Sequence, residues 1–206
     1  MGQEINRRPL KTRSARWAGA LAGWLSAAGF SPNGISVLGV LFAALGAGCF
    51  LLAGQSQWFY LGAAAGIQLR LVANLLDGMV AIEGGKASPT GPLFNEFPDR
   101  IEDALFLIAA GYAAAAPQLG YGATILAVAT AYIRASGGAL GLAQDFTGPM
   151  AKQQRMFVLT VAAVASAFVP DVFLLEIALW VIVAGSAITC IRRSLRIARL
   201  LKGGGA

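Results

Sequence analysis

Oxygen-bearing side chains recur at helical spacing between Asn74 and Asp103. Asn74 and Asp77 are three positions apart and share one helix face. Asn95, Asp99 and Asp103 follow at intervals of four and form a stripe on a second helix. The Gly and Pro residues between suit a turn joining two antiparallel helices. Two such helices aim their oxygens at each other, which is how metal sites are built in helical bundles. The surroundings sharpen this reading. Leu69, Leu71 and Val72 lead into the run, and Ala104 to Ile108 follow it. Carboxylates and amides held among such residues at membrane depth are costly and mark a functional site.

The elements that position these residues are apolar helices. The 206-residue chain is 57% hydrophobic and 13% charged, with a mean hydropathy of +0.66, so it reads as an all-α integral membrane protein in one domain, residues 1–206. Its net charge of +6 does not point to nucleic acid, because the cations cluster at the two ends and between apolar segments, as cytoplasmic membrane flanks do. The two cysteines, Cys49 and Cys190, lie in apolar segments without a CxxC pair and read as packing residues. With no histidine, acid–base work falls to Asp, Glu, Lys or Tyr.

In chain order, residues 14–28 repeat Trp17, Leu21, Trp24 and Leu25 at helical spacing, with Arg13 and Arg16 on the polar side. This predicts an amphipathic helix lying on the membrane surface. A bundle over residues 35–191 follows, with about six spans: 35–53, 58–82, 93–116, 121–142, 156–169 and 172–191. The fifth is short for a bilayer, so its helix begins earlier or Arg155 or Pro170 lies at an interface. Gly137 and Gly141 form a small-xxx-small step suited to close helix approach. The turns at 54–57, 117–120 and 170–171 carry no Lys or Arg, whereas the N-terminus, the 83–91 link, the 145–155 loop and the C-terminus do. The positive-inside rule then puts both termini, and the polar run, on the cytoplasmic side of the cell (inner) membrane. Arg70, one turn before Asn74, is expected to pair with an acid more than to reach a phosphate.

The run resembles the signature of the CDP-alcohol phosphotransferases, D-x-x-D-G-x-x-A-R-x8-G-x3-D-x3-D. Asp77, Gly78, Ala81, Gly91 and Asp99 fall on their required positions without a gap. Asn74 stands where the first Asp belongs, Asn95 where the third does, and Ile82 where the Arg does. A register using Asp99 and Asp103 as the last two Asp puts Asn95 on the required Gly and is disfavoured. Pro32-Asn33-Gly34-Ile35-Ser36 is similar to the family's entry into its first span, and Gly148-Pro149 with Lys152 and Arg155 to its G-P-x-x-K-x-x-R loop.

The resemblance implies a reaction. The hydroxyl of an acceptor alcohol attacks a CDP-alcohol such as CDP-diacylglycerol, CMP leaves, and a phosphodiester forms in phospholipid biosynthesis. It implies Mg²⁺ or Mn²⁺ held at Asn74, Asp77 and Asn95, with Asp99 as general base bordering the metal. Asp103, one turn beyond Asp99, is the best compensating acid for the two amides, ahead of Glu96 and Glu102. Gly78 and Ala81 match positions where small side chains let the nucleotide come close, and Asn33 and Gly91 belong to the same substrate-binding set. Lys86, Arg134, Lys152 and Arg155 are able to bind phosphate, and Arg134, the deepest, is the least explained as a flanking charge. Whether one metal or two binds, and whether the chain turns over or only binds CDP-lipid, stays open. Members of that family often pair as homodimers, so a homodimer is expected beside the membrane lipid. The acceptor alcohol is not legible.

Overall fold

The computed structural model describes residues 15–169 and 173–203, apart from the side chains of Pro92 and Asn95. Among them are seven helices: α1 (Arg16–Ala27), α2 (Pro32–Leu52), α3 (Phe59–Ile82), α4 (Gly91–Ala113), α5 (Pro117–Ala139), α6 (Lys152–Phe168) and α7 (Phe173–Lys202). The start of the expected 14–28 helix, at Ser14, lies outside the described residues, as does the start of the sixth expected span.

Local chemistry sets the helix ends. Ser31 caps α2 by accepting the Gly34 N–H at 3.1 Å, and Pro32 fills the first turn, where no N–H is needed. α1 and α5 close with Gly29 and Gly141 in the left-handed region, at φ 87° and 83°. In each, two backbone N–H groups fold back onto the last-turn carbonyls, the glycine-closed stop of many helices. α4 ends the same way on Ala115, at φ 52° without a glycine. Gly141 therefore ends α5 rather than extending a packing step; Gly137 alone packs on α7, where an added Cβ would stand 3.0 Å from Ile197.

Six helices close into a ring, with neighbours in the order α2, α3, α6, α7, α5, α4 and back to α2. α2 and α3 cross with their backbones touching, since a Cβ on Gly66 would lie 2.7 Å from the Gly46 Cα. Inside the ring lies a core of Phe50, Ile67, Phe106, Leu107, Leu159, Leu179 and many alanines. Outside it, Leu45, Ile125, Phe157, Val161, Trp180 and Ile188 stand exposed. α2, α3 and α7 are long and apolar enough to cross a membrane. This is an α-helical membrane protein.

α1 lies across the end of α3. Ala18 and Ala22 pack into a second cluster with Ala73, Leu76, Met79 and Val80, while Trp17 and Trp24 face outward. α6 begins at Lys152, ahead of the apolar segment read from sequence, because its first turn is polar. α7 continues past Ile191 to Lys202.

Candidate functional site

Arg70, Asn74 and Asp77 occupy successive turns on one face of α3. Across from them α4 presents Asp99, Glu102 and Asp103. The loop before α6 brings in two cations. Arg193 donates to the Thr147 carbonyl at 2.9 Å, and the Met150 N–H donates to the Thr189 hydroxyl at 3.0 Å. These bonds pin the loop to α7 and set Lys152 and Arg155 on the first turn of α6.

The acids and cations interleave. Arg70, fully buried, donates to Glu102 Oε2 and to Asp103 Oδ1 (2.8 Å) and lies 3.6 Å from Asp99 Oδ1. The expected pairing of Arg70 with acids is present. Arg155, 1% exposed, donates to Asp103 Oδ2 at 2.8 Å and to the Met150 carbonyl at 3.1 Å. Both oxygens of Asp103 are thus taken by buried guanidinium groups, which makes it the keystone of an ion network. Lys152 donates to Asp99 Oδ1, and Arg100 lies 3.3 Å from Asp99 Oδ2. The Asn74 amide donates to Asp99 Oδ1 at 2.8 Å and to Glu102 Oε2 at 3.0 Å. Asp77 accepts from the Ser36 hydroxyl of α2 at 2.7 Å through Oδ2, and its buried Oδ1 has no hydrogen-bond partner among the described residues.

The other expected site residues are spread over several elements. Gly78 and Ala81 continue α3 beyond Asp77, half-buried, and Asn33 and Gly91 lie in the first turns of α2 and α4. Asn95 lies on α4 one turn before Asp99, but its side chain is outside the described residues. Arg134 pairs with Glu96, one turn ahead of Asp99, donates to Gln144 at 2.6 Å, and lies 5.0 Å from the Phe146 ring centroid. Lys86 is elsewhere: its ammonium donates to the Ser26 and Phe30 carbonyls at 2.7 and 3.2 Å and ties down the end of α1. In the 145–151 loop, burial pushes the Asp145 carboxyl up, but Thr147 hydrogen bonds and the charges of Arg196 and Arg193 outweigh it, so it titrates below its ordinary value.

Sequence reasoning missed Ser36, and it ranked Glu102 behind Asp103. Spacing carries no trace of the Ser36 contact, because that residue reaches Asp77 across 41 positions. For Glu102 a signal existed: it follows Asp99 by three positions and so shares its face.

Among the described residues no three Asp, Glu, Cys or His side chains group to hold a metal ion, because Arg70, Lys152 and Arg155 stand between the acids. A smaller set does fit one hard cation. Asp77 Oδ1 and Glu102 Oε1 are buried carboxylate oxygens without a hydrogen-bond partner among the described residues. Mg²⁺ is commonly held by one or two carboxylates, with waters and substrate phosphates completing its shell.

The fold and this site define a helical membrane protein with a charged, oxygen-rich centre inside its bundle, the type of site that handles a phosphorylated substrate. No protein-family model matches the chain. Curated relatives do. Phosphatidylinositol phosphate synthase of Streptomyces avermitilis is 28% identical over 192 residues, covering 86% of this chain and 76% of that protein. Its counterpart in Mycolicibacterium smegmatis is 28% identical over 176 residues, covering 81% and 77%. Archaetidylinositol phosphate synthase of Aeropyrum pernix is 29% identical over 155 residues, covering 73% and 76%. The fold matches Mycobacterium tuberculosis phosphatidylinositol phosphate synthase (PgsA1) with CDP-DAG bound, at TM-score 0.77 and 23% identity over 89% of this chain and 94% of that one. The same synthase in complex with manganese and citrate matches at TM-score 0.77 and 23% identity, over 87% and 88%. Together with the spaced run on α3 and α4, these relatives support membership in the CDP-alcohol phosphatidyltransferase family.

Proposed function

We propose that this chain is a membrane transferase that moves a phosphatidyl or other substituted phosphate group from a CDP-alcohol, such as CDP-diacylglycerol, to an acceptor alcohol, releasing CMP. The observation that carries it is the convergence of Asp77 and Asp99 from facing helices with Lys152, whose side chain is 20% exposed, beside them. In the reaction the acceptor oxygen bonds to the phosphorus bearing the lipid, the bond from that phosphorus to the oxygen of CMP breaks, and the hydroxyl proton goes to a base. Asp99 takes that proton, because its side chain, 14% exposed, is the most open of Asp77, Asp99, Glu102 and Asp103. Its carboxylate becomes available when Lys152 turns from it to the negative diphosphate. Asp77 and the Asn74 amide oxygen would hold Mg²⁺ or Mn²⁺, with Asn95 and the bordering carboxylate of Asp99 placed to join them. When bound, that ion neutralises charge on the diphosphate. Gly78 and Ala81 leave room for the nucleotide beside Asp77. Asp103, with Arg70 and Arg155, holds α3, α4 and α6 in register.

The membrane arrangement belongs to the same reading: six spans, both termini cytoplasmic, the site at the cytoplasmic end of the bundle in the cell membrane. The uncharged turns opposite the site support it, as do Lys and Arg at its own end. Asp103 of α4 and Arg155 of α6, both buried, pair with each other inside the protein, as membrane depth requires. The whole chain acts as one domain, and a homodimer is part of the proposal. The relatives' names make an inositol phosphate the first acceptor to try. The test is incubation with CDP-diacylglycerol and, separately, inositol phosphate, glycerol phosphate, inositol and glycerol, with the lipid product weighed by mass spectrometry. A new phosphodiester lipid with one acceptor supports transfer, and none with any acceptor opposes it.

A second reading has its own support. Asn74 donates hydrogen bonds where a carboxylate would accept them, and Lys152 covers Asp99. A chain of this kind binds CDP-lipid without turnover, and CDP-diacylglycerol would raise its melting temperature while no CMP formed.

A further inference from the structure

Two acids at the site each keep a buried oxygen that bonds to nothing among the described residues: Asp77 Oδ1 and Glu102 Oε1. Asp77 is 4% exposed and Glu102 is fully buried. A carboxylate oxygen left bare in a protein interior is costly, so each calls for a positive ligand. Both acids face the same stretch of α2. Asp77 uses its other oxygen on Ser36. One turn further along α2, a Cβ on Gly39 would stand 2.6 Å from Glu102 Oε1 and 3.3 Å from Asn74 Oδ1. Only glycine leaves these two oxygens room against the helix. Glu102 Oε2 meanwhile accepts from the Asn74 amide at 3.0 Å and from Arg70 Nε. Asn74 and Glu102 thus act as one unit, with the amide fixing the carboxylate and with Glu102 Oε1 and Asn74 Oδ1 both lying against Gly39.

We infer that Glu102 is a ligand of a divalent cation in this chain, supplying from α4 the carboxylate that Asn74 cannot supply from α3. With Asp77 and the Asn74 amide oxygen it makes a site for one hard ion of the Mg²⁺ or Mn²⁺ class. Two carboxylates and a neutral oxygen suffice when water and a diphosphate complete the shell. The inference rests on the proposal that this site takes such an ion, and it does not require turnover.

The test is Mn²⁺ titration of the purified full-length chain in detergent, following free Mn²⁺ by electron paramagnetic resonance without nucleotide. Three forms are compared: wild type, Glu102→Gln, and the swap Asn74→Asp/Glu102→Gln. Gln keeps the shape and still accepts from Arg70, yet Glu102→Gln is expected to weaken Mn²⁺ binding by at least about tenfold. The swap returns a carboxylate to the same pair of positions and is expected to recover most of that loss. Wild-type affinity in Glu102→Gln would overturn the inference, leaving Glu102 as a partner of Arg70 alone. So would a swap as weak as the single variant, or a wild type that binds no Mn²⁺. Should Glu102→Gln not fold, the swap alone decides: wild-type affinity supports ligation and its loss refutes it. Mn²⁺ binding through Glu102 without CMP release supports this inference while striking the transferase proposal.

Discussion

Lys152 and a divalent cation should compete for Asp99, and replacing the lysine makes that competition measurable. In Lys152→Met the ammonium on Asp99 Oδ1 is lost, while Arg70 at 3.6 Å, Arg100 at 3.3 Å and the Asn74 amide at 2.8 Å remain. A hydrogen bond to a charged group contributes about 1.5–3 kcal/mol net, and each 1.4 kcal/mol is about tenfold in affinity. Because two guanidinium groups still share the Asp99 charge, the lower end applies. Mn²⁺ should bind Lys152→Met about tenfold more tightly than wild type. The same variant should melt lower without metal, because Asp99 has lost a partner, and regain much of the difference with Mn²⁺. Its CMP release should fall, since the diphosphate loses a cation. Electron paramagnetic resonance titration reads the first effect and thermal unfolding in detergent the second. Unchanged or weaker Mn²⁺ binding would refute the idea that Lys152 and the ion share Asp99.

Three further predictions concern what holds the site. Asp103→Asn leaves Arg70 and Arg155 buried with a neutral partner and should cost about 3–5 kcal/mol of stability, read from unfolding in detergent. Gly66→Ala sets a Cβ 2.7 Å from the Gly46 Cα, so α2 and α3 must part, which should cost about 1–3 kcal/mol by the same measurement. Ala115→Gly relieves a left-handed residue at the end of α4 and should stabilise the chain by about 1 kcal/mol, seen as a higher melting temperature.

Much of the fold was legible because hydropathy and helical period act locally. The apolar runs, the uncharged turns and the glycine and proline stops mark most helices, and the Trp17–Leu25 pattern marks α1. Where hydropathy fades the boundaries moved: the polar turn from Lys152 to Arg155 hid the start of α6, and the arginines after Ile191 hid the last turns of α7. For the site, spacing was enough to put Asn74 and Asp77 on one face and Asp99 and Asp103 on another. It could not tell that Arg155 reaches Asp103 across 52 positions, or Ser36 reaches Asp77 across 41. Such pairings depend on which helices become neighbours, and no local pattern records that. The same limit separated Asp103, saturated by two arginines, from Glu102, which keeps a buried oxygen unpartnered among the described residues.

The most direct test of the proposed chemistry is CMP release from CDP-diacylglycerol by the purified chain, scanned over Mg²⁺ and Mn²⁺ with a pool of acceptor alcohols and repeated on Asp99→Asn. Metal-dependent release that disappears in Asp99→Asn is the predicted result. Protein that binds the nucleotide yet releases no CMP under any of these conditions would contradict it and leave a CDP-lipid binder.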